Sequence, residues 1–156
     1  MKTDNKIQYD AQSLQTVVSV SVANLRIGNF INYNGNHREV GTISSIITDL
    51  SNNIKIGLNN RIDIFYSINE IMPIPLMQEW FYKFKFSSNF TSDPQEQQAS
   101  KVFKKGDFKI HMPNEDIQEF IIEVNEFKEI KYVHELQNVY YFFENCSLTN
   151  TCLTEH

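Results

Sequence analysis

The chain is poor in the residues that build reactive or cross-linked sites. It has two cysteines, five glycines and four prolines. Cys146 and Cys152 stand close together in a polar tail, spaced C-x5-C. One late bridge could not frame a fold, and the spacing suits no common zinc motif. Two reduced thiols in a cytosolic protein is the simpler reading. Five glycines include no G-x-G-x-x-G and no G-x-x-x-x-G-K-[ST], so no loop is expected to cradle phosphate. No serine or cysteine sits in a G-x-S-x-G elbow. Long apolar runs are missing too. Nothing reaches the roughly 18 consecutive apolar residues of a spanning helix. MKTDNKIQYDAQSLQ, with Asp4 and Asp10, does not read as a signal peptide. The expected location is therefore the cytoplasm.

Apolar mass is present. The 156 residues are 41% hydrophobic, with twelve Phe, seven Tyr and one Trp. That suits one domain with a core of its own. Net charge is −5, against indiscriminate nucleic-acid binding, which depends on Lys and Arg neutralising phosphates. Residues 86–156 carry twelve Asp/Glu against six Lys/Arg. Seven of those acids are Glu115, Asp116, Glu119, Glu123, Glu126, Glu129 and Glu135. Such a face is either solvated or turned toward a basic partner. Asp116, Glu119, Glu123 and Glu126 are the candidate partner-binding residues.

Hydrophobic periodicity predicts an α+β fold. Residues 1–22 form an N-terminal extension in which VVSVSV alternates. LRIGNFINY, then Asn34-Gly35, then NHREVGTISSIITDL reads as a hairpin, because both turn positions need positive φ. SNN at 51–53 breaks the chain before IKIGLNN and RIDIFYSI. About five short strands over 25–72 predict an antiparallel small-barrel sheet of the SH3-like type. Pro75 then suits a helix start. Leu76, Trp80 and Phe84 fall four apart, which predicts a helix at about 76–85 that covers one end of the sheet. The expected organisation is a barrel part with its covering helix at 23–86, a flexible loop at 87–100, a part at 101–146 and a tail at 147–156.

KVFKK-GD-FKIH predicts a second hairpin with a type II′ turn at Gly106. Residues 114–127 fit a helical stripe of Ile117, Phe120, Ile121, Val124 and Phe127. They also alternate, and the β-branched content favours a strand. The last element, about 131–144, is expected to be a helix with Val133, Leu136, Val139, Tyr140 and Phe143 along its apolar stripe.

Two stretches could carry chemistry. HELQN, residues 134–138, is one residue short of the zinc-protease signature H-E-x-x-H. That site needs imidazoles at i and i+4. Here i+4 is Asn138, a poor zinc ligand. The expectation is no metal, no cofactor and no turnover. His134, Gln137 and Asn138 then form the polar outer side of the helix, or bond a sheet edge or a partner. The other stretch interleaves Lys101, Lys104, Lys105 and Lys109 with Phe103 and Phe108. Charge plus stacking serves single-stranded nucleic acid. An edge strand also uses lysine to block pairing.

Three blocks, LRIGNFINYNG, EIMPIPLMQEWFYKFKF and IKYVHELQNVYYFF, occur in this order. Together they resemble a family of small proteins abundant in Bacteroidota genomes, prophages and other mobile elements. Its members read L-R-I-G-N near the start, P-I-P-L-x-x-x-W in the middle and Y-V-H-x-L-Q-N-L-Y near the C-terminus. The resemblance implies a phage or mobile-element origin and no particular activity. The N-terminal extension and the NCSLTNTCLTEH ending depart from the family's pattern. The functional expectation is a non-enzymatic protein that binds a host protein with a basic surface in the bacterial cytoplasm. A CRISPR nuclease or another nucleic-acid-handling defence effector fits that description by analogy. The alternative is a nucleic-acid-binding module built on the lysine hairpin.

Overall fold

The computed structural model describes residues 20–33, 39–91, 100–113, 120–124 and 126–148. Alternating apolar residues build a first antiparallel sheet in the order β1-β2-β3-β4. Its strands are β1 (Phe30–Tyr33), β2 (Glu39–Thr48), β3 (Ile54–Leu58) and β4 (Phe65–Ser67). A hairpin joins β1 and β2 as expected, with Phe30 opposite Thr42 and Tyr33 opposite Glu39, but that register leaves five residues between the paired ends and not the two of an Asn-Gly turn. Asn34 and Gly35 themselves lie outside the described residues. The SNN break is a turn held by Asp49. Its Oδ1 accepts from the backbone N–H groups of Ser51 and Asn53, each at 2.9 Å. Asn52 takes positive φ there, a conformation Asn tolerates better than most residues.

β2 is ten residues long and shifts register between Ile43 and Ser45. Such a bulge bends the strand. Beneath it lies one core of Leu25, Ile31, Tyr33, Ile43, Ile56, Leu58 and Ile71. Gly41 allows the Tyr33 ring to lie over the strand. A Cβ at Gly41 would stand 3.0 Å from Tyr33 Cε1 and 3.2 Å from Leu58 Cδ1. After β4 a 3-10 turn at Ile68–Glu70 is capped by the Glu70 carboxylate, which accepts from Ser67 N–H at 2.6 Å. The chain then returns to β1, where Asn32 and Met72 exchange two backbone hydrogen bonds of 2.9 Å. The sheet thus has four strands rather than about five, and it is not a closed barrel.

Pro75 does not start a helix. The segment stays extended because a residue before proline is pushed away from helical geometry. Its backbone groups also bond elsewhere: Leu76 N–H donates to Lys131 O at 2.8 Å, and Val133 N–H donates to Ile74 O at 2.9 Å. Helix α1 is therefore Gln78–Lys83. The predicted stripe holds, since Leu76, Trp80 and Phe84 are all buried. The helix chiefly covers a second sheet. Phe81 stacks on Phe103 at 4.2 Å between ring centroids. Trp80 and Phe84 reach back to Phe30 of β1.

That second sheet is an antiparallel meander, β5-β6-β7-β8-β9. Its strands are β5 (Ser87–Thr91), β6 (Ser100–Lys105), β7 (Phe108–Met112), β8 (Phe120–Val124) and β9 (Glu126–Ile130). The expected flexible loop at 87–100 is corrected at both ends. Ser87–Thr91 pairs along β6, and Ser100 begins β6. Backbone pairing imposed a strand on a polar stretch that carries no apolar alternation. Gly106 has φ +60° and Asp107 does not have positive φ, as the predicted II′ turn requires. The strand reading of 114–127 holds for Phe120–Val124, while residues 114–119 lie outside the described set.

Helix α2 (Val133–Glu144) closes the chain's described part. Glu135 secures its start, accepting from the N–H groups of Lys131 and Tyr132. Val133, Leu136 and Tyr140 are buried against the second sheet with Phe108, Ile110, Met112, Ile122 and Ile130. Phe143, expected in the same stripe, is exposed. No helix among the described residues is long and apolar enough to cross a membrane.

Candidate functional site

HELQN lies where the two sheets meet. The expectation that its polar side chains point outward is overturned for two of them, because His134 is 3% exposed and Gln137 4%. For Gln137 the reason is local. α2 lies against the loop at 24–30, which exposes backbone N–H and C=O groups toward it. A buried backbone group needs a partner, and the amides of α2 supply it.

Gln137 makes three such bonds. Its Oε1 accepts from Phe30 N–H at 2.8 Å. Its Nε2 donates to Gly28 O at 3.1 Å and to Leu148 O at 2.9 Å. Asn138 donates to Asn24 O at 2.7 Å and accepts from Asn29 Nδ2 at 3.0 Å. Asn29 Oδ1 in turn accepts from Arg26 N–H at 2.8 Å, which shapes the loop; its backbone carbonyl accepts from Ile43 N–H of β2 at 2.9 Å, and Gly28 N–H donates back to Ile43 O at 2.8 Å. Sequence reasoning missed Asn29. The signal available was a short polar residue directly after Gly28, a glycine that takes φ +93° in the structure.

The three sequence blocks quoted above thus touch one another. LRIGN meets HELQN through these amides, and Ile74-Pro75-Leu76 pairs with residues 131–133. The chemistry available there is structural. Arg26, Gly28, Asn29, Gln137, Tyr141 and Leu148 line a cavity of about 10 Å³, room for one water rather than a substrate. The Arg26 guanidinium lies 3.6 Å over the Tyr141 ring.

His134 stacks on Tyr132, with ring centroids 5.8 Å apart. Its Nδ1 is buried and has no hydrogen-bond partner among the described residues. Burial lowers its pKa below the usual histidine value, and Glu135 opposes that weakly. Among the described residues, no three His, Cys, Asp or Glu side chains are grouped to hold a metal.

The candidate acids are only partly placed. Asp116 and Glu119 lie outside the described residues. Glu123 and Glu126 sit at the closed end of the β8–β9 hairpin, where Glu123 pairs with Phe127 and Val124 with Glu126. That register puts the two positions on opposite faces of the hairpin. Of the other acids, Glu129 is paired with Lys131 at 3.1 Å and Glu135 caps α2.

The four lysines are not brought together. Lys101 Nζ donates to Gln78 Oε1 at 2.8 Å, and Lys105 Nζ to Phe84 O at 2.6 Å, both on the α1 side. Lys104 and Lys109 face each other across β6 and β7 and are exposed. Strand alternation sends the two pairs to opposite faces. Both strands are interior to the sheet, so the edge-blocking reading fails as well.

Comparison of the chain with family models, with curated proteins and with solved structures finds no match.

Proposed function

We propose that the chain is a non-enzymatic protein of phage or mobile-element origin that binds a host protein stoichiometrically in the bacterial cytoplasm. One observation carries the reading. The amides of HELQN, the stretch closest in form to a catalytic signature, are committed within the chain: Gln137 bonds the backbone of Phe30, Gly28 and Leu148, and Asn138 bonds the Asn24 carbonyl and the Asn29 side chain. Groups so committed are not free to bind and turn over a substrate. The net charge of −5 favours a target with a basic surface, which nucleic-acid-handling effectors such as CRISPR nucleases carry.

Residues 25–72 serve in this reading as a small-barrel module. The 3-10 turn after β4 and the return of Met72 to β1 support that, since both draw the ends of the sheet together. The lysine hairpin is structural here, with Lys101 and Lys105 engaged by α1 and its C-cap.

The test is capture of host proteins on the tagged chain, then reconstitution with the purified target. A complex of fixed stoichiometry that blocks the target's activity is expected. Direct binding of RNA or DNA, falling steeply with salt and lost when Lys104 and Lys109 become Ala, would replace this reading with the nucleic-acid one.

A further inference from the structure

His134 is buried, and its Nδ1 is the one buried side-chain nitrogen or oxygen without a hydrogen-bond partner among the described residues. A buried polar atom ordinarily has a partner. The orphan sits at a join in the chain. His134 is the second residue of α2, directly after the point where the chain pairs with the middle block. There Leu76 N–H donates to Lys131 O at 2.8 Å, and Val133 N–H to Ile74 O at 2.9 Å. These two bonds make the antiparallel bridge between Pro75 and Tyr132, and they hold the start of α2 to residues 74–76.

The neutral ring fits this place. In buried sites an orphaned N–H is rarer than an orphaned acceptor, which assigns the hydrogen to Nε2. The protonated ring does not fit. It gains a second N–H, on Nδ1, with nothing in place to accept it. Its charge lies in the first turn of α2, where the helix dipole is positive and disfavours a cation. Among the described residues, Glu135 is the one charged group that bears on the ring, and it opposes burial only weakly. The Glu135 carboxylate already accepts from Lys131 and Tyr132 N–H. Lys131 is paired with Glu129 at the end of β9. Ile74, Pro75 and Leu76, across the bridge, bring no titratable side chain.

We propose that the join between residues 74–76 and the start of α2 is an acid-operated latch, with His134 as the residue that senses the proton. In the closed latch the imidazole is neutral and buried. A proton on Nδ1 favours the open form, in which residues 131–134 leave 74–76 and the imidazolium meets water. The amide seam beyond it stays shut, because Gln137 and Asn138 hold the loop at 24–30 through groups that do not titrate. Leu136 and Tyr140 keep the rest of the helix on the second sheet. The latch goes beyond the protein-binding reading and does not depend on it.

Amide hydrogen exchange of the full chain, resolved by NMR and corrected for the intrinsic effect of pH, reads the latch. Leu76 and Val133 N–H are expected to be less protected than Phe30 N–H at every pH, because the latch opens without the seam. Opening gains about tenfold per pH unit below about 6.5, the ordinary histidine value, while the closed ring stays neutral. Protection of Leu76 and Val133 is therefore expected to fall about thirtyfold between about pH 7.5 and about pH 5. His134→Phe keeps an aromatic ring beside Tyr132 and removes the proton site, so its two amides should show no such fall. The proposal is overturned if Leu76 and Val133 are protected as strongly as Phe30, since they then open only with the whole fold. It is also overturned if their protection does not fall with pH, or falls equally in His134→Phe. Imidazole 15N shifts of the wild-type chain test it without a variant. A neutral ring with its hydrogen on Nε2 is expected while both amides stay protected, and an imidazolium inside the closed latch overturns the proposal.

Discussion

Asn29 Nδ2 donates to Asn138 Oδ1 at 3.0 Å, joining two asparagines 109 positions apart in sequence. The bond ties the loop before β1 to the middle of α2, so the first sheet and the last helix share one polar seam. Gln137, one residue earlier, is buried in the same seam, as is Asn29.

Gln137→Ala is expected to lower unfolding free energy by about 3 kcal/mol, because it strands Phe30 N–H and two carbonyls in a buried site. Asn138→Ala, nearer solvent, is expected to cost about 1 kcal/mol. Urea denaturation of both variants measures this. A loss below about 0.5 kcal/mol for Gln137→Ala, within the range of ordinary surface changes, would show that the seam is not structural.

The buried stripe of α2 gives a packing prediction. Leu136 is fully buried in the larger core. Leu136→Ala is expected to cost about 2–4 kcal/mol. A loss under 1 kcal/mol would contradict the packing.

His134 makes stability depend on pH. Burial lowers its folded-state pKa below the unfolded value, so the unfolded chain binds the proton more readily. The histidine's contribution is complete above about pH 6.5, the ordinary unfolded value. It shrinks as pH falls from there to the folded-state pKa. His134→Leu removes the proton site and should flatten that part of the stability profile. Denaturation midpoints of wild type and variant between pH 7.5 and pH 5 compare the two slopes, and parallel curves would refute the assignment.

Gly41→Ala is expected to destabilise by about 1 kcal/mol. The added methyl meets the Tyr33 ring and Leu58 tightly, while the stiffer unfolded chain recovers part of the loss. A stabilised variant would show that the Tyr33 ring moves aside freely.

Lys105 and Lys104, neighbours in β6, should respond oppositely to removal. Lys105→Ala loses a charge-assisted bond to Phe84 O, a cost of about 1 kcal/mol. Lys104→Ala removes one of two like charges facing each other across the strands and should be neutral or slightly stabilising. Thermal denaturation of the two variants at low salt decides it. Equal losses would mean that neither lysine has the role its position suggests.

The sequence carried strong local signals where side-chain periodicity and backbone geometry agreed. The hairpin closing β1 on β2, the Gly106 turn and the Leu76–Trp80–Phe84 stripe were legible for that reason. Pro75 misled because proline suits a helix start and an extended bridge equally. Only the distant partners at 131–133 decide between them. β5 was hidden because its strand character comes from β6 rather than from its own polar residues. The orientation of Gln137 was misread because polarity was taken to mean solvent, whereas the loop at 24–30 offers buried backbone groups; His134 is buried with its Nδ1 unpartnered among the described residues, and nothing in its polarity signals that. The acidic residues could be counted in sequence. Their grouping could not, and the β8–β9 register separates Glu123 from Glu126.

All four residues of β1 are buried, yet its neighbours Phe30 and Ile31 belong to different cores. A strand shared in this way couples the two halves during synthesis as well as at equilibrium. Phe30 finds its ring partners only after residues 80–84 are made, and its N–H is met only when Gln137 emerges. The first sheet cannot reach its final packing as the ribosome releases it, although its strands are local. Contacts of such long sequence span slow folding. The nascent chain then exposes the Phe30 ring at least until residues 80–84 are translated, an interval of exposure to aggregation and to chaperones.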